Sequence, residues 1–456
     1  MLERCFIVAD QPPGAGTNLG NFFAGLCTMT RDRCCWVLVF LSVAGLGQAF
    51  AGAGSAEEKR PRLAVVTTVW RHNAHADVLA SRLVEGYTLD GKGEFPKLEL
   101  ASAYVDQFPA NDMSRALARE HGFTIYDTVA GALTLGGQKL AVDGVLLICE
   151  HGDYPRSATG SIEYPKRRLF GQIVEVFEKS GRVVPVFSDK HLEDDWADIA
   201  WFYGEARRLK IPLMAGSSLP TLWRYPAVDI ERGQPLAEIV ATSYGPLDAY
   251  GFHALEMVQC LAERRRQGQA WGESGVARVR CLEGEAVWQA MREKVFDRTL
   301  LEQALSRLKA KPLPSGRPIE EIGKNPVLYV IDYRDGLRAS VLWAAPIGEW
   351  AAAWRYGDAR SSDGRTEATC FYTQEGRPFM HFSYLLKGIE QMMFTAQPTW
   401  PVERTLLTSG VLDAVLQSRQ LGGKAVETPQ LGIVYRSDWT WEMPPAPPAT
   451  RPASGQ

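Results

Sequence analysis

The stretch RVVPVFSDKHL, residues 182–192, decides how this chain is read. Val183, Val184, Val186 and Phe187 form an apolar run as long as one buried strand. The run ends at Ser188, and Asp189, Lys190 and His191 follow without a gap. An acid, an amine and an imidazole at the carboxyl end of a buried strand stand where open α/β sheets hold their ligand crevice. The alternative is a solvated loop before a helix capped by Asp194. The neighbouring segments weigh between the two.

Working outward, apolar runs alternate with amphipathic ones from Arg62 to Ala215. Strands are expected at 63–68, 98–104, 124–126, 144–149, 183–187 and 212–215. Helices are expected at 76–85, 112–121, 128–135, 166–180 and 194–209, the second capped by Asn111 and stopped at Gly122. Near-continuous apolar strands alternating with helices imply a parallel sheet covered on both faces. The strand ends then become the informative positions. Arg71, His72 and His75 follow the first strand, and Asp106 follows the second. Glu150, His151 and Asp153 follow the fourth, and Asp189, Lys190 and His191 the fifth. Four of the seven histidines thus fall on one sheet edge, which points to one polar pocket at a topological switch point.

After residue 225 the pattern changes. Strands are expected at 238–244, 276–282, 327–333, 337–344, 350–354 and 368–372, with Asp335-Gly336 as a hairpin turn. They suggest an open, mostly antiparallel sheet. A helix over 250–267 places His253 and Glu256 on one face, half of a metal site or a positioned base. Further helices are expected at 379–396 and 402–420, with Met392 and Met393 as packing residues. Trp223, Trp343, Trp350, Trp354 and Trp400 are candidates for sugar-stacking walls or for the core.

The 456 residues are 46% hydrophobic and 23% charged, enough for two domains. A net charge of −3 with scattered basic residues speaks against nucleic acid as a partner. The short runs 166–168 and 264–266 read as solvated helix faces. Residues 1–56 read as a leader: Arg31 and Arg33, an apolar run over 34–46, then small residues. Met29 is then the expected true start, with cleavage near 53–56 and export to the periplasm or medium; the alternative is a retained bilayer anchor. Of the cysteines beyond the leader, Cys149 is expected as a buried thiol and Cys260 with Cys281 as a candidate disulfide. Residues 437–456, rich in Pro, Ala and Thr, are expected as a disordered tail.

The order of these motifs resembles the Gfo/Idh/MocA family of oxidoreductases over most of residues 62–436. LELASAYVDQF, with Asp106 ending the strand, looks like the family's ribose-binding acidic position. MSRALAREHGFTIYDTVAGAL and VDGVLLICEHGDYP look like its following helices, fourth strand and loop. VFSDKHL stands where the family carries Glu-Lys-Pro, so Lys190 falls on its catalytic lysine. Asp248 to Glu256, DAYGFHALE, resembles Asp-x-Gly-x-His-x-x-Asp, which carries the catalytic histidine onto His253. PVERTLLTSGVLDAVLQSRQLGGKAVETP resembles the helix and loop that pack back on the core. The resemblance implies a Rossmann-like doubly wound parallel sheet over 57–225, then an α+β domain with a large, mostly antiparallel open sheet over 226–436.

It also implies a small-molecule substrate, a sugar or cyclitol hydroxyl, oxidised with NAD or NADP. Lys190 would hold the substrate oxygen, His253 would accept the hydroxyl proton, and Asp248 would orient the pair. Arg71, Asp106 and His151 would contact the cofactor, and a homo-oligomer would form through the C-terminal sheet. The sequence also departs from the family. The first turn is VWRHNAHAD, without the GxGxxG glycines that admit a pyrophosphate, and Trp70, Arg71 and His72 would crowd it. Glu-Lys-Pro has become Asp-Lys-His, and Asp248 stands one residue out of register. A second reading follows: His72, His75, His151, Asp153, Asp189 and His191 as substrate groups or ligands of a divalent metal in a hydrolase or lyase. A third is an exported sugar-binding protein without catalysis.

Overall fold

The computed structural model describes residues 59–314, 316–359 and 361–451. The leader expected before residue 57 lies outside them. Six parallel strands come first: β1 (Arg62–Thr67), β2 (Glu99–Val105), β3 (Thr124–Ile125), β4 (Gly144–Ile148), β5 (Val186–Asp189) and β6 (Leu213–Gly216). Their spatial order is β3-β2-β1-β4-β5-β6, so the direction of winding reverses between β1 and β4. Every residue of β4 is buried, as its unbroken GVLLI run requires for a strand covered on both faces.

The helices between them are α1 (Arg82–Glu85), α2 (Ser114–His121), α3 (Val129–Thr134), α4 (Lys166–Ser180) and α5 (Trp196–Leu209). A π-helical turn, Ala76–Ala80, precedes α1, so the first crossover helix is short and irregular. Helix α4 buries Leu169, Phe170, Ile173, Val176 and Phe177, each such side chain contributing about 1.5–3 kcal/mol. It stops at Gly181, whose φ of 61° suits a left-handed C-cap. Helix α5 is capped by Asp195, which accepts the Asp198 amide at 3.1 Å, and not by Asp194. Strand β5 lies three residues further along than the apolar run suggests at its start, because Pro185 has no N–H to give to the ladder. Its pairing with β6 instead extends through Asp189, opposite Gly216.

The second sheet has eight strands. β7 (Trp223–Tyr225) and β8 (Leu236–Ser243) enter first, followed by α6 (Ala249–Ala262) and a small hairpin, β9 (Arg266–Gln267) with β10 (Ala270–Trp271). Then come β11 (Val276–Glu283), α7 (Glu285–Arg292), α8 (Arg298–Arg307), β12 (Val327–Tyr333), β13 (Arg338–Trp343), β14 (Trp350–Tyr356) and β15 (Thr366–Tyr372). α9 (His381–Thr395), α10 (Glu403–Gln420) and β16 (Val426–Glu427) complete the chain. The order is β16-β11-β12-β13-β8-β14-β15-β7. Only β13 with β8 is parallel; the other neighbours are antiparallel. The Asp335-Gly336 turn joins β12 to β13, with φ of 94° at Gly336. One face packs on α6 and α10, and α7 and α8 cover part of the other.

Several expectations are corrected by packing. Cys260 and Cys281 are free thiols, as are Cys149 and Cys370, and all four are buried. Trp223, Trp343, Trp350, Trp354 and Trp400 are at most 5% exposed, so they fill the core and form no sugar-stacking wall. The run 264–266 is no solvated face: Arg265 is buried, with Glu273 at 2.8 Å and Asp335 at 2.6 Å. The segment expected as a disordered tail is docked in extended form up to Arg451. Trp441 Nε1 donates to Leu222 O at 2.7 Å, Trp223 Nε1 to Pro445 O at 2.6 Å, and the Arg451 amide to Arg377 O at 2.9 Å. Buried indole and backbone donors need acceptors: the tail supplies one to Trp223, and the body of the fold supplies those of Trp441 and Arg451. No helix among the described residues is long and apolar enough to cross a membrane.

Candidate functional site

Just beyond β5, at Lys190, the chain enters the left-handed region with φ of 60°. His151, after β4, does the same with φ of 67°. A non-glycine residue in this region costs on the order of 1 kcal/mol or more, and such positions cluster at functional sites. The Lys190 amide donates to Gly216 O at 3.2 Å. Gly216 itself has φ of 125°, and a Cβ there would lie 2.7 Å from Glu256 Oε2, so only glycine fits.

At this edge Glu150 bridges two ammonium groups. Its Oε2 lies 3.0 Å from Lys190 Nζ and its Oε1 3.2 Å from Lys166 Nζ. Lys166 is 0% exposed and also donates to His191 O at 2.7 Å and Asp189 O at 3.3 Å. Its acceptors are therefore complete. Lys190 has Glu150 as its side-chain acceptor among the described residues, which leaves ammonium N–H groups for a ligand. Burial works against the Lys190 charge, but Glu150 and Asp189 outweigh it and hold its pKa above the ordinary lysine value. Glu150 is likewise held well below the usual carboxylate range: burial would raise it, and Lys190 and Lys166 prevail.

Helix α6 brings His253 to the same edge. Its Nδ1 lies 2.6 Å from Ser217 Oγ, just after β6. Burial, then the charge of Lys190, press its pKa well below the ordinary value, so the ring is neutral at pH 7. The serine hydroxyl can donate or accept, so the pair can present either a lone pair or an N–H at Nε2. Asp248 does not orient this pair. It begins α6, and the ion-pair partner of its carboxylate is Arg156, at 3.9 Å. Ser217 holds the histidine in its place. Glu256 turns into the core, where Thr408 donates to it at 2.7 Å and Thr405 at 3.1 Å, so the paired His253–Glu256 metal reading fails.

His75 reaches the edge from the first turn. Its Nδ1 lies 2.6 Å from Asp189 Oδ2, and its ring centroid is 5.4 Å from that of His151. Burial pushes the pKa of His151 down to about 3 and that of His191 down to about 3. His191 packs edge-on to Phe252 and is a buried structural ring beside Lys166. His72 is about half exposed, 3.8 Å from Asp77, and Asp153 is exposed with its backbone paired to Gln107. Among the described residues no three His, Cys, Asp or Glu side chains are placed to hold a metal ion, so the metal reading lacks a ligand set.

Glu150 stands among the expected strand-end groups but without an expected role, and Lys166 and Ser217 lie outside the expected site. Lys166 was assigned to a solvated run, yet it precedes Leu169 by three and Ile173 by seven, on the buried face of α4. That spacing was the available signal.

Beside Lys166, Glu193 is 4% exposed, and burial pushes its pKa up to about 8. A carboxyl raised in the folded state stabilises it fully below the unfolded pKa, and that stability is lost as pH rises through the folded value. Glu193→Gln keeps the acceptor for the Arg167 amide. It should therefore gain on the wild type by on the order of 1–4 kcal/mol between pH 5 and pH 9. Urea unfolding at the two pH values measures this. An equal difference at both would refute the burial of a protonated Glu193.

The fold is that of the Gfo/Idh/MocA oxidoreductases, a Rossmann-like parallel sheet joined to a large, mostly antiparallel one. Among solved structures the chain is similar to GenD2 from gentamicin A biosynthesis in complex with NAD, with 14% identity over 81% of this chain and 96% of that one and a TM-score of 0.50. It is also similar to a putative myo-inositol dehydrogenase from Sinorhizobium meliloti, with 13% identity, 80% and 99% coverage and a TM-score of 0.49. A third is an aldose-aldose oxidoreductase from Caulobacter crescentus complexed with glycerol, with 13% identity, 81% and 100% coverage and a TM-score of 0.46. At such identities the likeness is one of fold. No protein-family model and no curated protein matches the chain.

The residues at the first turn do not build a glycine-type dinucleotide seat. Trp70 does not crowd the turn: it is 0% exposed, with Nε1 donating to Ser81 Oγ at 3.0 Å. The turn's amides are instead spent on protein acceptors. Asn73 N–H donates to the buried Asp77 carboxylate at 2.8 Å, and Ala74 N–H to Arg71 O at 2.9 Å. A carboxylate therefore stands where a pyrophosphate would need free donors. Arg71 pairs through its backbone with Asp112. Asp106 is also engaged: Arg168 donates to both its oxygens at 2.7 and 2.8 Å, Tyr104 at 2.6 Å and Tyr154 at 2.8 Å. A dinucleotide with its pyrophosphate on the first turn and its ribose on Asp106 does not fit this arrangement.

Proposed function

We propose that the chain is an enzyme of the sugar and cyclitol oxidoreductase type, acting on a secondary hydroxyl or the carbonyl at the same carbon. The observation that carries this reading is the meeting of two pairs, Lys190–Glu150 and His253–Ser217, at the carboxyl edge of a Rossmann-like sheet. Lys190 donates to the substrate oxygen and stabilises negative charge on it. The neutral His253 takes the hydroxyl proton at Nε2 or returns it, with Ser217 adjusting its own hydroxyl to suit. Glu150 keeps Lys190 charged and directed inward.

The redox part is tested through binding, since a ligand selective for the folded state raises its stability. Held in a pose that uses neither the first turn nor Asp106, NAD, NADH, NADP or NADPH at millimolar concentration should raise the melting temperature of nucleotide-free protein by several degrees. No rise with any of the four overturns the redox reading. Lys190→Met should then be assayed for heat stabilisation by myo-inositol and by glucose, which reads the sugar site separately.

A further inference from the structure

The first turn has lost the glycines of a dinucleotide seat, and in their place it delivers an imidazole to the sheet edge. We propose that His75, held by Asp189, is a general base that abstracts a proton from the carbon next to the carbonyl of a keto sugar or keto cyclitol, without a redox cofactor. The inference goes beyond the function proposed above.

Three observations carry it. First, His75 is the one imidazole among the described residues with a carboxylate at hydrogen-bond distance, 2.6 Å. An ionised carboxylate only accepts, so Nδ1 carries the proton and Nε2 is left with its lone pair. This fixes a base tautomer, whereas the serine partner of His253 leaves its tautomer open. A base oriented by a third group is the usual arrangement of an activated proton acceptor. Second, Asp189 and Lys190 are consecutive. The residue that orients the base therefore adjoins the ammonium that would stabilise an enolate oxygen. Third, the ring is largely but not completely buried, with 12% of its side chain exposed, and is packed by Phe382 edge-on at 5.2 Å and by His151. Such packing restrains the ring and limits water, while its Nε2 has no hydrogen-bond partner among the described residues.

The proton balance is closed. His75 Nε2 takes the proton from the carbon α to the carbonyl. The C–H electron pair becomes the enolate double bond, and the carbonyl π pair moves to oxygen, where Lys190 Nζ–H stabilises it. The proton on His75 Nε2 exchanges with solvent through the exposed part of the ring, and the solvent-derived proton returned from His75 to the same carbon replaces the original hydrogen. No electron enters or leaves the site.

The test uses the full chain, shown by absorbance to be free of nucleotide, in D2O with scyllo-inosose or D-fructose as probe. Proton NMR should show the hydrogen next to the carbonyl exchanging for deuterium faster than in buffer alone, with no NAD(P) added. His75→Gln should slow this exchange about 100-fold or more, within the usual range for a general base. Asp189→Asn should slow it as well and change its pH profile, since an amide can donate and so favours the wrong tautomer. Unchanged melting temperatures would separate these losses from unfolding. Exchange no faster than buffer with both probes, or a His75→Gln variant at the wild-type rate, overturns the proposal. Because no nucleotide is present, this outcome is independent of the dinucleotide-binding test.

Discussion

Replacing Glu150 by Gln is expected to destabilise the folded chain by about 3–5 kcal/mol, the usual cost of breaking a buried ion pair by removing one partner. Glu150 is 2% exposed and is the shared counter-ion of Lys190 and Lys166. Glutamine has nearly the same shape, so no cavity opens, and the loss is electrostatic. Lys166 keeps two backbone carbonyls, whereas Lys190 has no second side-chain acceptor among the described residues. Lys190 should therefore be the more affected. Denaturant unfolding at pH 7 measures the effect, and a double-mutant cycle with Lys190→Met isolates the pair. The double variant should recover more than 1 kcal/mol of the loss predicted for Glu150→Gln, because the unpaired ammonium is gone. A Glu150→Gln variant within 0.5 kcal/mol of wild type would show that the cluster is not an ionised one. The same substitution should also remove activity or probe exchange, since Lys190 loses the group that directs it.

The second large effect is expected at Arg404. This residue of α10 is fully buried, and its Nε donates to Glu263 Oε2 at 2.9 Å, with a further bond to the other carboxylate oxygen. Tyr435 O–H donates to Glu263 at 2.9 Å, and the guanidinium lies over the Trp439 ring at 5.6 Å. The pair ties α10 to the end of α6, the helix that carries His253. Arg404→Met should cost about 3–5 kcal/mol, because Glu263 is left charged at 2% exposure with one neutral donor remaining from Tyr435. Adding Glu263→Leu should restore much of the loss, since apolar replacement of both partners of a buried pair is often close to neutral. If the double variant is no more stable than the single one, the cost is packing and not stranded charge. A shift of α6 should also move the His253–Ser217 pair, so the single variant should lose function faster than it loses secondary structure.

The parallel sheet was legible because burial on both faces leaves a plain mark, an apolar run without alternation, as in GVLLI of β4. The edge loops followed from it, since the carboxyl ends of such strands are where the chain becomes polar. Strand ends were read less well. Pro185 shortens β5 at its start and the ladder with β6 lengthens it at its end, and that ladder depends on a segment more than twenty residues away. The roles of side chains at the site were the least legible. His253, Lys190 and Asp189 were found as candidates, but Asp248 was assigned an orienting role that Ser217 performs. No local pattern distinguishes a serine after β6 from any other loop serine.

The stretch at 182–192 shows the division. By itself the sequence determined that a buried strand ends here in an acid, an amine and an imidazole, and that the strand belongs to an alternating β/α sheet. Hydrophobic burial acts on segments, so its period survives in the chain. Only the tertiary structure decided what the three groups do. Asp189 holds His75 from the first turn, Lys190 bends back through a left-handed backbone to Glu150, and His191 sinks beside Lys166 as a neutral ring. Those roles depend on which charges meet across loops far apart in sequence. Electrostatic pairing and desolvation are fixed by distances of a few ångströms, which strand order sets and local sequence does not record.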